Sequence, residues 1–197
     1  MFRVERAGLA DMAGIYRVCL LTGDAGGDAT PLYPDLDLPG HVYAGPYLAQ
    51  GSGTQLAVVD DEGIAGYVLS TDDTRAFDAW AEERWWPPLR ERYPRTDEAT
   101  PAGRIIRLIH DPEERDPELL EGYPAHFHID LLERTRGSGL GRELLERLFA
   151  ELRGRGVRGV HMGVDKANTN AIGFYEHIGF HTLEESDGGV TMGLSLR

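Results

Sequence analysis

Three groups of residues in this chain have the types and spacing to do chemistry. The first is Arg134-Thr135-Arg136-Gly137-Ser138-Gly139-Leu140-Gly141-Arg142, with glycines two apart at the head of an apolar-periodic stretch. Lacking Cβ atoms, that backbone can turn several N–H groups toward one anion at the positive end of a helix. A flexible strand-to-helix turn would use the same residues. The second group is Asn168, Ala171 and Tyr175, at i, i+3 and i+7, which share one helical face. The third is His126, His128 and Asp130, which alternate with Phe127, Ile129 and Leu131 and so occupy one face of a strand. A carboxylate or an imidazole there could take a proton from a substrate.

These groups need elements to position them. Residues 126–133 read as a strand running into the glycines, and 139–153 as a helix burying Leu140, Leu144, Leu145, Leu148, Phe149 and Leu152. Residues 157–164 read as a strand, and 168–178 as a helix with Asn168 near its cap and Gly179 as its C′ residue. Two closing strands, 180–184 and 190–196, turn around Asp187-Gly188-Gly189. In the N-terminal half, residues 2–6 alternate as a strand and 9–20 recur as a helix. Residues 22–39 are rich in Gly, Asp and Pro yet contain Leu32-Tyr33-Pro34-Asp35-Leu36, so an ordered loop over a cavity is expected. Residues 41–48 suit a short helix, and 54–59 with 63–70 a hairpin turning on Asp60-Asp61-Glu62-Gly63. Residues 73–93 have helical spacing with a break expected at Pro87-Pro88. Residues 96–123 are expected to be mostly irregular, with a short strand at 104–108.

The whole chain sets bounds on the function. Its 197 residues allow one domain, 1–197, with a core and room for an insertion. Apolar residues make up 41%, and no run approaches the ~18 needed to span a membrane. The formal charge of −13 argues against wrapping nucleic acid, which needs concentrated Lys and Arg. Arginines nevertheless gather in residues 134–158, which suits a small anionic ligand held at one place or a basic substrate drawn to the rest. Acidity as plain solvation accounts for most of the total. Met1-Phe2-Arg3-Val4-Glu5-Arg6 leads into no apolar run with a cleavage site, and Cys19 alone can form no internal disulfide, so a cytoplasmic setting is expected. His126, His128 and Asp130 make a weak ligand set, and no metal is expected.

Spacing separates the phosphate binders. A P-loop needs Lys and then Ser or Thr after its last glycine, where this chain has Arg142-Glu143 after Gly141. A dinucleotide fingerprint counted from Gly137 puts Arg142 at its third glycine. A third pattern, Gln/Arg-x-x-Gly-x-Gly/Ala, is met by Arg134-Thr135-Arg136-Gly137-Ser138-Gly139, and Asn-x-x-Ala-x-x-x-Tyr-x-x-x-Gly-Phe by the stretch from Asn168 through Ala171 and Tyr175 to Gly179-Phe180. With both in this order, residues 126–197 resemble the GNAT superfamily of N-acetyltransferases. Cys19 with Thr22-Gly23-Asp24, Tyr33-Pro34-Asp35-Leu36 and Gly45-Pro46-Tyr47-Leu48 resemble the acetyltransferase-like C-terminal domain of O-GlcNAcase and its bacterial relatives. The human-type domain of that family is regarded as a pseudo-acetyltransferase without an intact cofactor loop, whereas this chain keeps its glycines.

The resemblance implies an α/β (α+β) GNAT-like fold, a mixed sheet of about six to seven strands flanked by helices, with a helical and loop insertion around 73–123. It also implies acetyl-CoA as co-substrate. Gly137, Ser138, Gly139, Leu140 and Gly141, with Arg136 and Arg142, would hold its pyrophosphate, and Leu131, Leu132 and Glu133 its pantetheine. Asn168, Ala171, Phe174 and Tyr175 would form the helix face against it, with Tyr175 protonating the departing thiolate. An amine acceptor, a small molecule or a protein, further needs a base. Asp130 is the first choice, followed by His128 and Asp35, and Trp85 would wall the acceptor pocket. A structural hydrogen bond for Asp130 and plain core packing for Tyr175 and Trp85 compete with these roles. From another class, a CoA-binding pseudoenzyme that recruits a ligand or partner without catalysis fits the same motifs.

Overall fold

The computed structural model describes residues 1–186 and 188–197, so the expected turn at Asp187 lies outside the described residues. In chain order the elements are β1 (Arg3–Arg6), α1 (Met12–Thr22), α2 (Leu38–Tyr43), α3 (Gly45–Gln50), β2 (Gln55–Asp60), β3 (Gly63–Thr71), α4 (Thr74–Trp80), α5 (Trp86–Arg92), α6 (Pro101–His110), α7 (Pro117–Gly122) and β4 (Ala125–Leu131). They continue with α8 (Leu140–Gly154), β5 (Gly159–Asp165), α9 (Thr169–His177), β6 (His181–Glu185) and β7 (Gly189–Ser195). No helix among the described residues is long and apolar enough to cross a membrane.

The strands form one mixed seven-stranded sheet in the order β1-β2-β3-β4-β5-β7-β6. Every neighbouring pair is antiparallel except β4 and β5. That parallel pair touches only at Ala125–Val160 and His126–His161 and then diverges. On its other side β4 stays registered with β3 as far as Leu131 opposite Gly66. A notch therefore opens in the middle of the sheet, with one finished strand on each bank.

The two faces of β4 meet different layers. Phe127 packs with Leu144, Leu145, Leu148 and Leu152 of α8, which supply the dense apolar stripe expected of that helix. His126, His128 and Asp130 share the opposite face with Thr71, Leu69 and Tyr67, their partners on β3. Tyr67 and Leu69 join Ile15, Val18 and Cys19 of α1 and Tyr47 and Leu48 of α3 in a second core. A third core, with Leu38, Trp86, Leu89, Ile105 and Ile109, joins α2 to the insertion.

The insertion is more helical than expected. Residues 101–110 form α6 rather than an irregular stretch with a strand at 104–108. The Thr100 side chain accepts from Gly103 N–H, Pro101 stands at the first turn, and Ile105 and Ile109 face inward at i and i+4. Asp116 caps α7 in the same way by accepting from Glu118 N–H. Pro87-Pro88 do not break the chain's helical course. Residues Ala81–Trp85 widen into a π turn, with Trp86 N–H reaching Ala81 O, so the prolines enter the first turn of α5 where no N–H is needed.

Candidate active site: a channel between two strands

The glycine loop is shaped by backbone angles. Gly137 and Gly139 have φ of +75° and +79°, left-handed values that L residues rarely adopt, and a Cβ at either would meet nothing within 4 Å. Arg136 and Ser138 turn their N–H groups back onto Glu133 and Thr135 carbonyls. Among the described residues, the N–H groups of Gly137, Gly139, Gly141 and Arg142 find no backbone acceptor, while Glu143 starts the α8 ladder on Gly139 O. Two left-handed glycines ahead of a 15-residue helix leave donors without backbone partners at its N-terminus, and Gly137, Gly139 and Gly141 border a cavity there, a setting that suits an anion. The Arg134 side chain anchors the loop from behind, with Nε donating at 2.7 Å and Nη2 at 3.2 Å to the Asp60 carboxylate at the end of β2.

The loop borders a cavity of about 390 Å³ with Leu131, Leu132 and Glu133 on its β4 side. Leu132 N–H donates to Ala65 O on β3. By strand alternation Ile129 and Leu131 therefore carry their N–H and C=O groups on the edge facing the notch, where β5 has already turned away. An amide-bearing ligand could complete that edge.

A second cavity, about 340 Å³, continues from the first and shares Ala25, Gly26 and Asn168 with it. Residues 22–39, expected to cover a cavity, do border this one through Thr22, Gly23, Ala25 and Gly26. Asp130 and His128 of β4, Met162 to Asp165 of β5, and Asn168, Ala171 and Tyr175 line it. Asn168 caps α9, its Oδ1 accepting from Ala171 N–H at 3.1 Å, which leaves its NH₂ group for the cavity. The Tyr175 ring is held among Phe127, Phe174 and Phe180, and burial with the nearby Asp130 charge raises its phenol above the usual range. It therefore stays protonated and available as a donor.

Asp130 is set deep in the notch with a strip of surface toward the cavity. Burial raises its carboxyl to about 7, against the opposing effect of the hydrogen bond from Tyr67. Tyr67, fully buried opposite it on β3, donates its hydroxyl to Asp130 Oδ2. A carboxylate titrating near neutrality can both accept and release a proton under working conditions. Cys19 borders the same cavity, but burial and the Asp130 charge push its thiol up to about 12, so it stays protonated and is a poor nucleophile.

His126 and His161 lie deeper along the same strands. Thr74 Oγ1 donates to Pro124 O at 2.8 Å, so it can only accept from His126 Nδ1 at 2.7 Å. His126 Nε2 is then an acceptor, and Tyr47 donates its hydroxyl to it at 2.6 Å. His161 Nδ1 donates to Tyr123 O at 2.8 Å. Burial holds His126 well below the ordinary range and lowers His128 and His161 to about 4, so all three rings are neutral.

Other expected site residues lie elsewhere. The Asp35 carboxylate is engaged by Arg92 at 2.8 Å and the Tyr93 hydroxyl at 2.7 Å. Trp85 stacks on Trp80 and gives its indole N–H to His41 O at 2.8 Å. Neither borders the channel: Trp85 packs against the insertion's own core, and Asp35 is held by Arg92 and Tyr93 at the end of α5. Arg136 borders the loop cavity with its side chain paired to Glu133 at the surface, whereas the Arg142 side chain pairs with Glu146 and Arg142 does not line that cavity. Phe174 is partly exposed against Tyr175. Another hollow, about 650 Å³ between α8 and α9, is bordered by Arg142 and shares no residue with the two channel cavities. Among the described residues no group of three or more His, Cys, Asp or Glu is arranged for a metal ion. Tyr67 and Tyr43 escaped sequence reasoning, and Cys19 and Tyr47 entered it only within the resembling motifs, without a place in the site. The spacing of Tyr43 and Tyr47, i and i+4 in an expected helix, was the available signal for that pair, whereas the Tyr67–Asp130 pairing needs the strand register.

Residues 28–180 match the Acetyltransferase (GNAT) family. The chain belongs to this family. Acetyl transfer is accordingly its class of chemistry, and the GNAT resemblance of residues 126–197 extends over most of the chain. The GNAT chain superposes on the crystal structure of SsHAT with a TM-score of 0.89 at 35% identity, covering 100% of this chain and 98% of that one. It is 25% identical over 90% of its length to Protein O-GlcNAcase of Rattus norvegicus, of which it spans 20%. It is 29% identical over 76% of its length to mycothiol acetyltransferase of Rhodococcus erythropolis, of which it spans 50%. The GNAT fold is also that of yncA from Salmonella typhimurium, whose structure holds its cofactor acetyl-CoA, at a TM-score of 0.58 and 16% identity.

Proposed function

We propose that the chain, acting as one domain over residues 1–197, transfers acetyl from acetyl-CoA directly to a primary amine of a small molecule or protein. What carries this reading is that Asp130 and Tyr175 line one cavity, and that this cavity runs into the glycine nest through Ala25, Gly26 and Asn168. Bound acetyl-CoA supplies an activated thioester. The N–H groups of Gly137, Gly139, Gly141 and Arg142 hold the pyrophosphate at the start of α8, with Ser138 and Leu140 shaping the loop. The notch edge of β4 and the Asn168 amide orient the amide-bearing arm, as in strand addition.

Transfer forms a C–N bond and breaks the C–S bond. The arriving ammonium must lose one proton to become a nucleophile, and Asp130, ionised above about 7, accepts it and releases it to solvent. The nitrogen gives up a second proton as it becomes an amide, and the sulfur gains one. Tyr175 supplies the sulfur's proton and is reprotonated from the nitrogen through Asp130. A thiolate with pKa ~8.5 needs only a weak acid within hydrogen-bond reach. Direct transfer is favoured over a thiol relay because Cys19, held up to about 12, is not a thiolate.

Calorimetric titration with acetyl-CoA, followed by thiol release across a panel of amines, tests this. Binding with amine-dependent release is the expected result. Binding with no release above hydrolysis for any amine would leave a CoA-binding pseudoenzyme, and absence of binding would remove the cofactor assignment itself.

A further inference from the structure

A third cavity, about 150 Å³, abuts the transfer cavity, and Tyr43 and His128 border both. Their rings lie 5.5 Å apart between centroids, so the two cavities meet around this pair. The far walls are Tyr47, stacked on Phe77 at 4.5 Å, with Trp86 and Leu108 closing from α5 and α6. The space is the size that accepts one benzene-sized ring. Aromatic walls favour an aromatic guest through edge and offset contacts.

The electrostatics select the rest of the guest. His126 and His128, held neutral by burial, bring ring surface without positive charge. At the rim Arg115 is paired with Glu113 at 3.2 Å, which leaves the Asp78 carboxylate as the excess charge. Asp130 stands inside, two residues along β4 from His128 on the same face, roughly 7 Å away by strand rise. An ammonium at Asp130 and a ring in the chamber would then be joined past His128 by a short alkyl linker. A body charge of −13 draws cations toward such a mouth.

We infer that the acceptor is an arylalkylamine, its single six-membered ring seated in the chamber of Tyr43, Tyr47, Phe77, Trp86, Leu108 and His128 and its primary amine presented to Asp130. The inference rests on the acetyl-transfer reading and deepens it. The reaction is the one given above: the amine nitrogen takes the acetyl group, the sulfur leaves as a thiol, and one proton passes to solvent. A peptidyl lysine fits less well, since its aliphatic side chain would leave the aromatic walls without a ring to pack against.

The test compares 2-phenylethylamine, n-propylamine and an Nα-acetylated lysine peptide in thiol-release assays with acetyl-CoA, and titrates 2-phenylethylamine calorimetrically into the CoA-saturated chain. Burying the ring should give 2-phenylethylamine a kcat/KM about 30-fold or more above n-propylamine. Leu108→Trp, which fills the chamber from α6, should raise its KM at least about tenfold and leave the acetyl-CoA Kd unchanged. Equal kcat/KM for n-propylamine, preference for the lysine peptide, or no heat from 2-phenylethylamine would each overturn the inference while acetyl-CoA binding kept the acetyl-transfer reading alive. Failure to bind acetyl-CoA at all would bring down both.

Discussion

At the glycine end of the channel the binding groups are backbone amides, set by φ angles within one continuous stretch, residues 131–142. At the aromatic end they are side chains from α2, α3, α4, α5, α6 and β4, gathered from residues 42–128. The first kind of site depends on a few positions where only glycine fits. The second depends on how several helices pack, and many side chains of similar volume could replace one another in it. The glycine end should therefore fail abruptly under single substitutions, and the aromatic end by degrees.

The sharpest break should come from Gly139→Val. A β-branched residue at φ +79° would distort the nest and point bulk at the anion, so calorimetry should detect no acetyl-CoA binding. Retained micromolar affinity would show that the amides are not the binding groups. Asp130→Asn should lower turnover by about 10²–10⁴-fold with acetyl-CoA affinity nearly intact. In the unaltered chain kcat/KM should rise with pH and level off above about 7, because the ionised form of Asp130 is the base. A profile flat from pH 5.5 to 8.5 would assign the base elsewhere. Tyr175→Phe, which removes only the hydroxyl, should cost about 10²-fold in turnover and leave acetyl-CoA binding unchanged.

Smaller effects probe the frame. The folded pKa values of His126, His128 and His161 lie below their unfolded value near 6.5, so the unfolded chain binds protons that the folded chain refuses. Their stabilising effect is complete above about 6.5 and is lost as pH falls toward 4. Asp130 has the opposite sign, since its raised pKa makes the folded chain hold a proton between about 4 and 7. Burial also lowers His41 and raises Asp78 to about 6, so with four imidazoles against two carboxyls chemical denaturation should give a stability that falls from pH 7 to pH 5, and a rise would contradict the neutral-histidine assignment. Ala25, at φ +51° on the rim of both channel cavities, carries a left-handed strain. Ala25→Gly should stabilise the chain by up to about 1 kcal/mol, or do nothing if chain entropy offsets it. A loss of 1 kcal/mol or more would mean that the methyl group is packed.

The same contrast explains what could be read beforehand. Glycine spacing, the Asn168 cap, the stripe of α8 and the alternation of β4 are local signals, and the elements they mark lie within a residue or two of expectation. α6 carried its own start signal in Thr100-Pro101 and an inward face in Ile105 and Ile109, but the prolines and charges around it masked a ten-residue helix. Pro87-Pro88 read as a stop because a π turn, which lets a helix admit them, has no plain sequence mark. Tyr67 reaches Asp130 only through the β3–β4 register, and Asp35 and Trp85 turned inward to partners 57 and 44 residues away. Contacts of that range are decided by packing, not by spacing.

The two-rung contact between β4 and β5 means that the sheet is a pair of smaller sheets spliced at Ala125 and His126. An unfilled strand edge is ordinarily an opening for stray chains. Recessed here inside a cleft, it is narrow enough that a slender amide-bearing ligand can reach it more readily than a foreign strand. Such a ligand would act as an eighth, removable strand, a keystone across the splice. The melting temperature should climb with its concentration, and slowed amide exchange at Ile129 and Leu131 should mark where it is laid.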